Sequence, residues 1–137
     1  MRIYVDSSAL LKRVFAEPES AKLIQTLQDE LRRDSVLLTS SLSWVEVSRA
    51  VLSTAVQSDG LDPDEVTEIA LSGLREKPIN PDVIGVARRL APRTLRSLDA
   101  IHLASALMLN ATVMVAYDTR LIAAAQMNNL RTRSPPA

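Results

Sequence analysis

Apolar positions along the chain follow two periods in alternation. Ile3-Tyr4-Val5 is a short β-branched and aromatic run, the composition of a strand. Leu10, Leu11, Val14 and Phe15 then fall on one helical face and predict a helix over 7–15. Glu17-Pro18-Glu19 opens a second helix to about Leu31, with Pro18 in its first turn. Val36–Thr39 reads as a second strand, and Ser43 to about Val56 as a helix. Asp62-Pro63 with Glu65 combines a cap, a proline at the first helical position and an acid at the third, predicting a helix over 62–75. Asn80-Pro81 starts another that runs to Leu90 and stops before Pro92. Ser97 caps the next, to Leu109; Thr112–Ala116 reads as a strand, Thr119–Met127 as a helix and Leu130–Thr132 as a last edge strand.

Short strands alternating with helices predict an α/β fold, a three-layer α/β/α sandwich around a short parallel sheet of four or five strands. No internal repeat or linker divides the chain, so one domain is expected over 1–133, with a frayed tail at 134–137. Residues 100–117 carry no Lys, Arg, Asp or Glu, about the minimum for a membrane span. His102, Ser105, Asn110 and Thr112 interrupt that stretch, which reads better as helix, turn and strand. The first apolar run ends at Asp6, too soon for a signal peptide. A soluble, cytoplasmic protein without a membrane partner is expected.

Composition then removes whole classes of chemistry. The chain has no Cys, which excludes disulfides, thiolate zinc sites and cysteine nucleophiles. His102 is the sole histidine, so no multi-histidine metal site exists. Gly60, Gly73 and Gly85 are too scattered to build a phosphate-cradling loop. Four aromatics are too few for a base-stacking platform. The formal net charge is zero, which argues against non-specific electrostatic binding to nucleic acid. It divides unevenly, however. Residues 1–87 hold nine basic and fourteen acidic side chains, a net of −5, and residues 88–137 hold seven and two, a net of +5.

In parallel sheets function gathers at the carboxyl ends of the strands. Asp6 and Asp118 follow predicted strands, and Glu46 lies in the first turn of the helix after the second strand. Asp99 is harder to place, because its helix precedes the nearest clear strand. Each acid also has a plain structural role open to it. Asp6 and Asp118 could cap helices, Ser43 and Glu46 could form a capping box, and Asp99 could complement a helix dipole from the second helical position. Taken together these readings weaken. Asp99 and Asp118 are the only acids in the last fifty residues, and Asp99 opens a helix that is apolar nearly all round. Buried carboxylates are costly unless paired or bound to a cation. Without Cys or several His, clustered acids point to a hard ion, Mg²⁺ or Mn²⁺, which activates water and shields phosphodiester charge. Arg88, Arg89, Arg93, Arg96 and Arg120 are then candidate phosphate contacts, with a solvated helix face the equal alternative for Arg88 and Arg89.

At this point the chain resembles a PIN domain, and within that group the VapC-type toxin ribonucleases of toxin–antitoxin pairs. Four segments carry the resemblance in order: Tyr4-Val5-Asp6-Ser7-Ser8-Ala9-Leu10-Leu11-Lys12, Ser40-Ser41-Leu42-Ser43-Trp44-Val45-Glu46-Val47, Leu98-Asp99-Ala100-Ile101-His102-Leu103-Ala104-Ser105-Ala106 and Val115-Ala116-Tyr117-Asp118-Thr119-Arg120-Leu121. Glu17-Pro18 fits the second helix. The resemblance implies an α/β/α fold, Mg²⁺- or Mn²⁺-dependent endoribonuclease activity, a homodimer and a cognate antitoxin. It assigns Asp6, Glu46, Asp99 and Asp118 as catalytic and metal-holding acids, the same four that the strand-end argument selects, and it settles Asp99. Two departures stand out. Ala116 takes a place where many relatives carry a hydroxyl, and Thr119 and Arg120 follow Asp118 where some carry a further acid. Action of Asp118 on the metal through water is therefore an open alternative.

Ser7, Thr119 and Arg120 are candidates to orient ligands or bind phosphate, with capping an equal alternative for the two hydroxyls. His102 lies three residues after Asp99, but a lone helical histidine is more often a packed or surface residue, and it is left outside the site. The apolar set Val66, Ile69, Ala70 and Leu74 reads as core packing ahead of a docking face. The function expected is hydrolysis of RNA phosphodiester bonds by the toxin of a toxin–antitoxin pair. The alternative is a non-catalytic RNA-binding or scaffolding module on the same fold. An aspartyl-phosphate receiver fits poorly, since serines follow Asp6 and the last lysine is Lys77.

Overall fold

Successive side chains of a strand point to opposite faces, and here each face is covered by its own layer of helices. The computed structural model describes residues 1–54, 60 and 62–137. Among the described residues five strands and seven helices follow one another: β1 (Arg2–Val5), α1 (Ser7–Leu11), α2 (Ser20–Arg32), β2 (Val36–Ser40), α3 (Leu42–Thr54), α4 (Pro63–Ala70), β3 (Leu74–Lys77), α5 (Pro81–Ala87), α6 (Ser97–Met108), β4 (Val113–Val115), α7 (Thr119–Met127) and β5 (Arg131–Arg133). The strands form one sheet in the order β3-β2-β1-β4-β5, every pair parallel. This is the α/β/α sandwich expected.

Register explains the two cores. Ile3 stands beside Leu37 and Val113, and Tyr4 beside Leu38 and Met114. Ile3, Val5, Leu37, Val113 and Val115 join Leu10, Leu23, Leu27, Val47 and Val51 in one core, under α1 to α4. Tyr4, Leu38 and Met114 join Leu103, Ala106, Leu121 and Ala124 in the other, under α6 and α7. The chain builds outward from β1 to β3 on one side, then returns to add β4 and β5 on the other. That reversal at β1 and β4 makes a crevice at the carboxyl edge of the sheet, the usual ligand position in such folds.

Several boundaries differ from expectation. The helix expected over 62–75 ends at Ala70; Gly73, at φ +81°, turns the chain, and Leu74 enters β3 against Leu37. Leu74-Arg75-Glu76-Lys77 lacks an apolar alternation because it is an edge strand, fixed by its ladder with β2 and not by burial. The first helix closes at Leu11, and 12–15 continue as turns. The second begins at Ser20, so Pro18 precedes it. The helix from Asn80 stops at Ala87, short of Leu90. Ser97 is the first residue of α6 and not its cap, the cap position being Arg96. The expected end of the third helix, near Val56, lies outside the described residues. In the tail, Ser134 Oγ donates to the Ala116 carbonyl at 2.6 Å and Tyr117 Oη to that of Pro135 at 2.7 Å; Pro135 is buried, while Ser134, Pro136 and Ala137 are exposed. No helix among the described residues is long and apolar enough to cross a membrane.

Candidate active site

Asp6 follows the last residue of β1 and is only 3 % exposed. It caps α1: its Oδ1 accepts from the Ala9 N–H at 3.0 Å and from Ser8 Oγ at 2.7 Å, with Oδ2 2.9 Å from the same hydroxyl. Ser8 Oγ in turn accepts from the Tyr117 N–H at 3.1 Å, which ties the end of β1 to the loop after β4. Burial pushes the Asp6 carboxyl up to about 6; His102, Ser8 and the Ala9 N–H pull it down, and Glu46 adds to the rise. The capping role and a site role thus fall on one side chain.

Glu46 does not close a capping box with Ser43. Ser43 Oγ instead lies 2.6 Å from Thr39 Oγ1, while Glu46 Oε1 accepts from Ser7 Oγ at 2.5 Å and faces His102 Nε2 at 2.5 Å. Burial alone would raise this carboxyl, but His102 and Ser7 outweigh it and hold Glu46 below the ordinary value. His102 is 2 % exposed, and its Nδ1 lies 2.7 Å from Tyr4 Oη. Sequence reasoning left His102 and Tyr4 outside the site. A possible signal was their shared placement, on a buried helix and on the strand facing it.

Asp99 sits in the first turn of α6, half-buried, and its carboxylate accepts no hydrogen bond among the described residues. Burial raises its pKa first, then the negative charge of Asp118; Glu46 adds to the rise, while His102 and Arg96 oppose it. Helices that return antiparallel to a parallel sheet all begin at its carboxyl edge, whether they follow or precede the strand in question. This is why α6 delivers Asp99 to the same edge as Asp6. Asp118, exposed, caps α7; its Oδ1 accepts from the N–H groups of Arg120 at 2.9 Å and Leu121 at 3.1 Å.

The structure therefore brings the four acids to one edge, with Glu46 acting on both Asp6 and Asp99, and Asp118 on Asp99. Of the lesser candidates, Ser7 reaches the acids. The Thr119 and Arg120 side chains, both exposed, make no hydrogen bond or ion pair among the described residues. Glu46 and Asp118 share a pattern: the protein holds one carboxylate oxygen, and the other accepts no hydrogen bond among the described residues. Hard oxygen donors suit a divalent cation, and its charge would offset both the mutual repulsion and the burial that pushes the Asp6 carboxyl up to about 6. Among the described residues no three of these groups form a finished ligand cage as they stand. In kind the donors fit the ion; in their present spacing they do not enclose it, and closing on it requires side-chain adjustment.

The basic residues sort themselves as well. Arg88, Arg93, Leu95, Ser97 and Ala100 line a hollow of about 400 Å³ that reaches the first turn of α6 on the face carrying Ser97 and Ala100, and Asp99 does not line it. Arg89 also borders it, but its guanidinium is tied back to the Gly85 carbonyl at 2.6 Å. A hollow of about 510 Å³ lies at the opposite, amino edge of the sheet, against Met1, Thr112 and Arg131, away from the acids.

Residues 3–127 match the PIN domain family. Over 137 residues the chain is 37 % identical to Ribonuclease VapC47 of Mycobacterium tuberculosis, with 98 % of each protein covered. Solved structures share the fold, two of them as follows. VapBC2 from Rickettsia felis, bound to a DNA fragment from its promoter, superposes with a TM-score of 0.73 at 14 % identity, covering 97 % of this chain and 98 % of that one. A toxin–antitoxin complex from Klebsiella pneumoniae superposes at 0.67 and 18 % identity, covering 97 % of each.

Proposed function

The chain belongs to the PIN-domain family, and from its acidic edge we infer that it is a divalent-metal-dependent endoribonuclease, the toxin of a toxin–antitoxin pair. The observation that carries this is the convergence of Asp6, Glu46, Asp99 and Asp118 on one sheet edge, repelling one another, with all but the exposed Asp118 partly withdrawn from water. The name of the relative covered over nearly its whole length supports the ribonuclease reading. The likeness to a toxin–antitoxin complex supports an antitoxin partner. A homodimer and a cytoplasmic location accompany this reading.

Asp6, Glu46 and Asp99 would hold Mg²⁺ or Mn²⁺, with Asp118 ligating directly or through water. When bound, the cation supplies activation of water and neutralisation of phosphodiester charge. The chain's own residues do the rest. Ser7 and His102 hold Glu46 by one oxygen, Ser8 fixes Asp6, and α7 fixes Asp118 through backbone N–H groups. Such fixed groups serve catalysis because they need little reorganisation when charge develops. Arg88 and Arg93, at the hollow that reaches Ser97 and Ala100 of α6, neutralise flanking phosphates of the RNA strand.

The deciding experiment incubates total RNA with purified protein and Mg²⁺ or Mn²⁺, beside Asp99→Asn, and sequences the new ends. Wild-type protein is expected to give discrete cation-dependent cuts that chelation stops, and the mutant almost none. Equal cutting by both proteins would remove the acids from the mechanism. Absence of any cutting together with retained RNA binding would favour the non-catalytic module.

A further inference from the structure

The buried groups behind Glu46 are more specific than packing requires. Position 102 lies in the α6 core beside Leu103 and Ala106, where an apolar side chain would pack without polar partners. It carries the chain's one histidine. The ring is set edge-on to Tyr4, at 5.9 Å between centroids and 75° between planes, and Tyr4 is fully buried. Tyr4 Oη meets Nδ1 at 2.7 Å, while Nε2 meets Glu46 Oε1 at 2.5 Å. A phenol that donates to Nδ1 leaves the Nε2 hydrogen for the carboxylate, so Tyr4 selects the nitrogen that holds Glu46. Ser7 Oγ converges on the same oxygen, and Oε2 accepts no hydrogen bond among the described residues.

We propose that His102, steered by Tyr4, is the positioning residue for Glu46: it binds Oε1 to the protein and presents Oε2 to the divalent cation. This rests on the reading of Glu46 as a cation ligand. Partners that orient ligating carboxylates typically account for about 10–100-fold in metal affinity.

The test is calorimetric titration of Mn²⁺ into metal-free wild-type protein, His102→Gln, His102→Asn and Tyr4→Phe, each checked for native circular dichroism. A glutamine amide reaches about as far as Nε2 and can still donate to Glu46; an asparagine amide reaches only as far as Nδ1. His102→Asn is expected to weaken Mn²⁺ binding about 10–100-fold, while His102→Gln stays within about threefold of wild type, as one retained hydrogen bond implies. Asparagine also lacks a methylene, so the two amides are compared at matched thermal stability, where a difference in Mn²⁺ binding reports on reach and not on packing. Tyr4→Phe removes a single oxygen, keeps the fold if the His102 variants do not, and is expected to weaken binding about 2–10-fold, the worth of one hydrogen bond. Wild-type binding with Asn and Gln variants equal to each other, or with Tyr4→Phe unchanged where those variants do not fold, overturns the positioning role and leaves the cation reading intact. Failure of the wild type to bind Mn²⁺ overturns both, and RNA cleavage then reports separately on nuclease activity.

Discussion

His102 Nε2 and Glu46 Oε1 are 2.5 Å apart although 56 residues separate them in the chain. The contact joins α3, which follows β2, to α6, which precedes β4, and so spans the crevice where the sheet reverses its order. The acid of one helix is held from the core of the other. Its strength at the site depends on the packing of α6 on Tyr4 as well as on the acids themselves.

Asp6 links function to stability with a definite sign. Its carboxyl is raised from 3.8 to about 6 by burial, so the folded protein binds the proton more tightly than the unfolded chain. The stability this contributes is fully present below the unfolded value and is lost as pH rises through about 6. In metal-free protein the loss amounts to about 3 kcal/mol by pH 7.5. Asp6→Asn keeps a good capping residue and removes the charge. It should be more stable than wild type at pH 7.5 by about that amount, with the difference closing toward pH 4. Urea denaturation across this range in the presence of a chelator checks it; equal pH slopes for the two proteins would show that Asp6 is not the group responsible.

Asp118 carries two roles that substitution can separate. Its Oδ1 caps α7 through two N–H groups. Asparagine preserves a cap and alanine does not, a difference of about 1 kcal/mol. Both remove the carboxylate charge. Thermal melts should therefore place Asp118→Ala below Asp118→Asn, while both lose RNA cleavage to a similar extent. Full activity in Asp118→Asn would reduce Asp118 to a cap.

The placement of most of these acids at one sheet edge is legible in the sequence, and the gaps have physical causes. Asp6, Glu46 and Asp118 could be placed because strand ends and the starts of following helices share one edge of a parallel sheet. Asp99 obeys the same geometry, but only when the rule covers helices that precede a strand. His102 was not legible, since a histidine three positions after an acid says nothing about Tyr4, and only the packing of α6 on β1 brings them together. The strand at Leu74–Lys77 was hidden because three of its four residues are charged and its order comes from pairing with β2. Ser8 was overlooked because its role, bridging Asp6 to Tyr117, depends on β1 lying beside β4.

A bound cation should reverse the electrostatic penalty that the acids impose. At about 100 times its dissociation constant, a ligand specific for the folded state adds about 2.7 kcal/mol. Mn²⁺ should raise the melting temperature of wild-type protein, and chelation should return it. Asp99→Asn should blunt the response. The comparison needs no RNA, so it reports on the ion site even if the substrate is a single rare RNA. An identical shift in wild type and mutant would place the ion elsewhere.

The last prediction concerns the positive half of the chain. Arg88 and Arg93 line the hollow at Ser97 and Ala100 of α6 and form no ion pair among the described residues, whereas Arg89 is tied to its own helix. If the RNA strand crosses this hollow, each arginine displaces counterions from a phosphate, and log affinity falls with log salt by about 0.7 per contact on a single strand. Binding is best measured in an Asp99→Asn background, where the strand survives, with a fluorescent single-stranded RNA over a series of salt concentrations. Replacing Arg88 and Arg93 together by glutamine should weaken binding and flatten the slope by about 1.4, two contacts' worth. Replacing Arg89 should change the slope little. A slope unmoved by the double substitution would take the strand off this path. Tighter binding of an acidic peptide than of RNA at the same arginines would assign the hollow to a protein partner.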